Sequence, residues 1–572
     1  MALRIAFLAL LGLLLTGCAT SGQMGHLAEE ARRSQPKPEN MSPRELERSG
    51  DAAVGQDQPH RALMRYTLAL EKDPDNPHLL RKATALFAAD DRMDRAAGLA
   101  QRLLKAEPHD TVGNIVAMAD AARAGAWKRA QARIDALPDN SLTDFMTPLL
   151  GAWTNAARGD VPGALRGLRV TEKRSDYAHL YHFAAGLVAA WADQPDTARE
   201  HFAAVVESDR QLSVGMVRLL MAFYRRHGDD DVVRKLEKAV HGGAASPLMD
   251  PALLAEKPGP LVPTARDGMA RSLFTLGMVL NARKAHDLAL VFGRAAQWTA
   301  TRDMALPAIM VAEIFENKKR YARANAAYTR VPDGDAGARW VARLRTATNL
   351  DKLGRTDEAV ALLRDLAAER PDRRRPLVTL GDILRGHERF AAAEKAYTRA
   401  IERLDDLSAE DWVLFYARGM VRERQDQWAG AEKDLRKALA LNPDQPLALN
   451  YLGYTWVDRG THLERARRMI ERAVSQRPED GYIVDSLGWV LYRLGHHQKA
   501  VKHLEKAVTL RPQDAVINDH LGDAYWAVGR KREARFQWRR ALSLDPGPKV
   551  AERLRDKLAD GLDVPEPVKE GG

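Results

Sequence analysis

The sequence predicts an all-α fold, a superhelical solenoid of roughly twelve to fourteen helix-turn-helix units. Two observations predict it. A Leu-Gly pair recurs in the C-terminal third, at Leu452-Gly453, Leu487-Gly488 and Leu521-Gly522, with the glycines 35 and 34 residues apart. A fixed period of about 20–50 residues is the mark of stacked repeats. After each glycine, small and bulky residues return at the same offsets: Ala500, Leu504, Ala507 and Pro512 follow Gly488, and Ala534, Trp538, Ala541 and Pro546 follow Gly522. Length and composition agree. The 572 residues exceed what one core can organise, and 45% hydrophobic, 29% charged and 6% aromatic content describes a folded, helix-leaning chain.

The elements follow in order. Residues 1–17 carry a basic start at Arg4 and an apolar run from Ile5 to Leu15, too short to span a bilayer and read as a signal peptide. The run ends in Leu15-Thr16-Gly17-Cys18, which resembles the bacterial lipobox. That resemblance implies cleavage before Cys18 and a covalent lipid on its sulfur, an anchor far stronger than a single acyl chain. The next residue is Ala19 and not Asp, which by the same resemblance implies transfer to the outer membrane of a Gram-negative bacterium, facing the periplasm. Residues 18–40, rich in Ser, Gly, Gln and Pro, read as a lipidated tether.

Residues 41–240 form an N-terminal repeat region. It opens on a clear unit (Gly50, Ala62, Tyr66, Ala69, Pro74) and becomes degenerate between about Thr111 and Val240. Residues 241–267 hold Gly242-Gly243, Pro247, Pro251, Pro258-Gly259-Pro260 and Pro263, a density that interrupts helix pairs and is expected to separate two superhelical halves as hinge or groove-covering loop. Repeats resume over 268–546. Residues 547–562 are expected to cap the last repeat, with Val550, Leu554 and Leu558 on one face, and 563–572 form a loose tail.

A search for chemistry finds no catalytic residue, no metal site and no cofactor beyond the lipid on Cys18. G-x-S-x-G, G-x-x-x-x-G-K-[ST] and H-E-x-x-H are absent, and the single cysteine excludes disulfides and Cys-ligated zinc. His496, His497 and His503 read as solvated histidines at the start of a second helix, and Asp73-Pro74-Asp75-Asn76 as a turn. The formal charge of +10 is modest, and the two signs alternate along most segments, so no nucleic-acid partner is expected.

The spacing of Gly453, Gly488, Ala500, Ala507, Pro512, Gly522, Ala534, Ala541 and Pro546 resembles the tetratricopeptide repeat, with small residues where two helices cross and proline closing the second helix. In such a solenoid the first helices line the inner wall. The resemblance implies a partner-binding groove of Asn450, Tyr454, Tyr482, Asp485, Trp489, Tyr492, Arg493, Asp519, Asp523 and Trp526, rich in the aromatics that dominate protein interfaces. The block from Leu449 to Thr455, followed by Asp485-Ser486-Leu487-Gly488-Trp489-Val490-Leu491-Tyr492, is similar to the outer-membrane tetratricopeptide lipoproteins that bind a periplasmic carboxyl-terminal processing protease. That similarity implies a non-enzymatic scaffold presenting cell-wall (peptidoglycan) hydrolases to the protease. Two other readings stay open: a structural lipoprotein of an envelope export or pilus secretion machine, and a glycan- or peptidoglycan-binding solenoid.

Overall fold

The computed structural model describes residues 37–563 apart from 173–176, 209, 211, 240–260 and 405. The signal peptide, Cys18, most of the tether, most of the Pro/Gly-rich stretch and the tail beyond Asp563 lie outside the described residues. The described residues form 29 α-helices and no strand.

The chain divides into two compact units, residues 1–354 and 355–572. Unit 1 holds the pairs α1 (Pro43–Gly55) and α2 (Pro59–Lys72), α3 (Pro77–Ala89) and α4 (Met93–Ala106), α5 (Thr111–Arg123) and α6 (Trp127–Asp135), and α7 (Ser141–Ala157) and α8 (Val161–Glu172). It continues with α9 (Ala178–Trp191) and α10 (Pro195–Val206), α11 (Val214–Arg226) and α12 (Asp230–Ala239), α13 (Ala265–Ala282) and α14 (His286–Thr299), and α15 (Ala305–Asn317) and α16 (Tyr321–Tyr328), and ends with α17 (Ala336–Lys352). Unit 2 begins at α18 (Thr356–Glu369) and holds α19 (Arg375–Gly386) and α20 (Phe390–Ile401), α21 (Trp412–Glu423) and α22 (Trp428–Leu441), and α23 (Pro446–Asp458) and α24 (Leu463–Gln476). It closes with α25 (Gly481–Arg493) and α26 (His497–Leu510), α27 (Ala515–Ala527) and α28 (Lys531–Ser543), and a last helix, α29 (Pro548–Asp560).

Local chemistry starts, turns and pairs these helices. Ser42 and Glu45 form a capping box ahead of Pro43, and Asp514 Oδ1 accepts from the amides of Val516 and Ile517 at 2.9 and 3.0 Å. The turn inside a pair places one residue in the left-handed region. Gly495 takes it at φ +80°, whereas Lys319 and Glu388 adopt it with side chains, at φ +56° each. The tightest crossings need a missing side chain: a Cβ on Gly488 would lie 2.5 Å from Leu504 Cγ, and one on Gly522 would lie 2.4 Å from Trp538 Cδ1. Ala500, Ala507, Ala534 and Ala541 are fully buried between the helices.

Unit 1 doubles back on itself. Helix α14 packs on α3 and α5, and α13 packs on α7. Trp153 Nε1 donates to Ser272 Oγ at 3.1 Å, with its ring laid over Gly268. Buried Arg294 stands 3.4 Å from Asp91, and Arg323 stands 3.5 Å from Asp90. The helices on either side of the Pro/Gly-rich stretch thus share one core. The packing divides the chain at Gly354 and Arg355, where expectation had placed the division at residues 241–267.

Candidate functional site

The inner wall of unit 2 is built from first helices, and the structure sorts the ten sequence-derived groove residues into two groups. Asp485, Asp519 and Asp523 are turned inward, at 5%, 1% and 5% exposure. Asp485 Oδ1 lies 3.0 Å from His520 Nδ1. Lys557, reaching in from α29, sets its Nζ 2.7 Å from Asp519 Oδ1 and 2.7 Å from both oxygens of Asp523. Arg553 adds a 2.9 Å ion pair to Asp519, and Trp538 Nε1 donates to Asp523 at 2.9 Å. These three aspartates, read from the sequence as partner contacts, are consumed within the fold. The physical reason is that α29 brings a cation to a wall where carboxylates would otherwise be buried without a countercharge.

The electrostatics follow from that burial. Desolvation and the neighbouring Asp519 carboxylate push the Asp523 carboxyl up to about 6, against the pull of Lys557. For His520, burial works against the charge, but Asp485, Asp519 and Asp523 outweigh it and hold the imidazole above its ordinary value.

Trp526 is also claimed by the end of the chain. Its Nε1 donates to the Leu562 carbonyl at 2.7 Å, and Lys531 sits 3.6 Å above its ring. The others form the aromatic part of the wall. Trp489 stacks on His520 at 4.1 Å and 11° and on Tyr492 at 5.0 Å and 10°. Arg493 lies over the same indole at 6.0 Å. Burial, then the carboxylates of Asp485 and Asp458, raise the phenol of Tyr454. Asn450 Oδ1 and Trp489 Nε1 are buried with no hydrogen-bond partner among the described residues, and Tyr482 is the most open of the set at 51% exposure.

Sequence reasoning missed a second concavity. In unit 1 the first helices α9 and α11 meet α13 and the start of α15 around a cavity of about 650 Å³. Phe183, Met216, Phe274 and Met278 are among its apolar walls, and the buried Arg218–Asp335 ion pair at 2.7 Å lies on its border. Its walls come from degenerate repeats and from both sides of the Pro/Gly-rich stretch, so no local motif marked it. Among the described residues, no group of three or more His, Cys, Asp or Glu is placed to hold a metal ion, and no helix is long and apolar enough to cross a membrane.

Tetratricopeptide-repeat family models match residues 344–409, 416–464 and 484–514. The TPR repeat-containing protein PA4667 of Pseudomonas aeruginosa is 38% identical over 181 residues, a match covering 32% of this chain and 30% of that protein, so the chain spans under a third of that relative's length. Similar solved structures include a tetratricopeptide repeat protein from Parabacteroides merdae, at 17% identity and TM-score 0.35 over 44% of this chain and 98% of that one. YrrB, described as a TPR protein with an unusual peptide-binding site, is 18% identical with TM-score 0.28 over 34% of this chain and 97% of its own. The Cut9–Hcn1 hetero-tetramer chain is 15% identical with TM-score 0.38, over 91% of this chain and 97% of its own. With the crossing glycines, paired helices and matched segments together, the fold is a tetratricopeptide-repeat solenoid.

Proposed function

We propose that this chain is a protein-binding scaffold, and that it holds a periplasmic carboxyl-terminal processing protease together with its cell-wall hydrolase substrates at the outer membrane. Tetratricopeptide repeats are protein-interaction modules, and the single observation that carries the reading is the inner wall of unit 2. There, the partly exposed Tyr454, Trp489 and Arg493 form an aromatic and cationic surface on rigid helices, beside exposed Tyr482 and backed by buried Tyr492. Such side chains bury large area with few rotors to freeze. The protease as partner rests on the similarity of the block around Leu449 to Arg493, and the membrane location on the Cys18 motif.

The test is a pull-down from periplasmic extract with the chain lacking residues 1–18, every captured protein being identified by mass spectrometry. Recovery of a carboxyl-terminal processing protease with cell-wall hydrolases supports the proposal. An export or pilus component without the protease overturns it in favour of an envelope machine. Tyr482→Ala with Arg493→Glu is expected to abolish capture while leaving the helical circular dichroism unchanged.

A further inference from the structure

The fold of unit 2 sorts charges that alternate along the sequence. Successive first helices α23, α25 and α27 pack on one another, whereas the second helices stand further apart, so α20, α22, α24, α26 and α28 form the outer row. On α24, Leu463, Ala466, Met469, Ile470 and Ala473 are buried, and Arg465, Arg468 and Arg472 stand on the opposite face. The neighbouring second helices repeat this arrangement in register. Exposed Lys395, Lys433, Arg468 and Lys502 make one column, and exposed Arg399, Lys437, Arg472, Lys506 and Arg540 make a second, four residues further along each helix. Six more exposed cations flank the columns: Arg436, Arg465, Lys499, Lys531, Arg532 and Arg539.

Against these cations, the same five helices expose a single anion, Glu533, which is tied to Arg530. Their other acids are buried or paired with arginine: Asp434 is buried on Arg418, and the partly exposed Glu394, Glu432, Glu464, Glu471 and Glu505 are held by Arg422, Arg436, Arg467, Arg467 and Arg530. Of the outward cations, only Arg436, Arg472 and Lys506 have a carboxylate partner among the described residues. Helix α18, next in the stack, shows the reverse pattern, exposing Asp357, Glu358, Asp365 and Glu369 beside Arg364. The one-signed row is therefore a property of α20 to α28 and not of the composition.

Along each helix the two cations, four residues apart, stand about 6 Å from one another at a rise of about 1.5 Å per residue, within one Debye length in physiological salt. Where the first column would have its fifth cation, α28 places Phe536, whose ring is 63% exposed among Arg532, Arg539 and Arg540. Cations surrounding an outward aromatic are the composition of a surface that lies in a membrane interface.

We propose that this outer row docks on an anionic lipid surface, with Phe536 entering the headgroup layer. The row offers one aromatic and no enclosing groove, where a single-stranded nucleic acid would call for a channel with repeated stacking platforms. The proposal goes beyond an acyl anchor, which tethers without orienting: a docked outer row turns the first-helix wall of unit 2 away from the lipid.

The test uses a chain beginning at Ala19, which retains every described residue and has no Cys18 to acylate. It is sedimented with vesicles of phosphatidylglycerol and phosphatidylcholine, with vesicles of phosphatidylcholine alone, and titrated in parallel with a fluorescent single-stranded DNA at the same salt. Binding is expected only to the anionic vesicles and is expected to fall steeply with added salt. Lys433→Glu with Arg468→Glu and Lys502→Glu, all exposed and without ion-pair partners, should weaken it by about a hundredfold or more, at roughly a fivefold loss per cation removed. Phe536→Ala should weaken it by a smaller factor, and both variants should melt as the parent does. Absence of vesicle binding, binding unchanged in the triple variant, equal binding to neutral vesicles, or tighter binding to the DNA would each overturn the proposal.

Discussion

Replacing Lys557 by Met keeps the length of the side chain and removes its charge. Lys557 is 6% exposed, and its Nζ is shared at 2.7 Å by two carboxylates that are themselves 1% and 5% exposed. Removing one partner of a buried ion pair costs about 3–5 kcal/mol, because the other charge is left without compensation. Arg553 still holds Asp519 at 2.9 Å, which places the expected cost at the low end, about 3 kcal/mol. Because repeat arrays open locally, the loss should appear in α27 and α29 first, where amide hydrogen exchange should accelerate about a hundredfold while α19 to α22 stay protected.

The pH dependence has a definite sign. Without the ammonium, the carboxyl of Asp523, already pushed up to about 6, rises further in the folded state, which then binds more protons than the unfolded chain. The variant therefore regains stability as pH falls from about 7 to about 5. Lys557→Met combined with Asp519→Asn and Asp523→Asn removes the stranded charge and should recover most of the loss. Exchange in the single variant within about threefold of the parent would refute this account of the cluster.

The other predictions concern packing, turns and titration. Gly488→Ala drives a Cβ to 2.5 Å from Leu504 Cγ and 3.3 Å from its backbone nitrogen, and should cost about 1–3 kcal/mol in denaturant unfolding. Gly98→Ala, with nothing within 4 Å of the added carbon on α4, should instead stabilise by about 0.5–1 kcal/mol. Glu388→Gly relieves a side chain held at φ +56° and should raise the melting temperature, by about 1 kcal/mol of stability. His520 is held above its ordinary value by Asp485, Asp519 and Asp523 with Lys557 alongside, so its contribution is complete below about pH 6.5 and is lost as pH rises through the folded value. The melting temperature of the parent relative to His520→Gln should therefore fall as pH rises above about 6.5, and a difference that stays flat or grows would remove the imidazolium from the account.

Much of the fold was legible because the closest helix crossings demand a residue without a side chain and a bulky partner to fill the space beside it. Gly488 with Leu504 and Gly522 with Trp538 write that demand into the chain at a fixed period, and proline and left-handed glycine punctuate the turns. In the expected groove, Tyr482 is exposed and Trp489 partly exposed, whereas Tyr492 is buried behind Trp489.

The aspartates were not legible, because their role depends on α29 folding back to place Lys557 between Asp519 and Asp523, a contact spanning 38 and 34 residues. The cavity of unit 1 likewise depends on α13 and α15 meeting α9 and α11 across a stretch that reads locally as a break. Sequence alone determined the period, the helix pairs and their crossing points, since these are set by steric rules within one repeat. Only the tertiary structure decided which charges are spent inside and which stand together outside: alternation along the chain fixes neither, whereas stacking in register pairs the acids of α20 to α28 with arginines and aligns their remaining cations on one face.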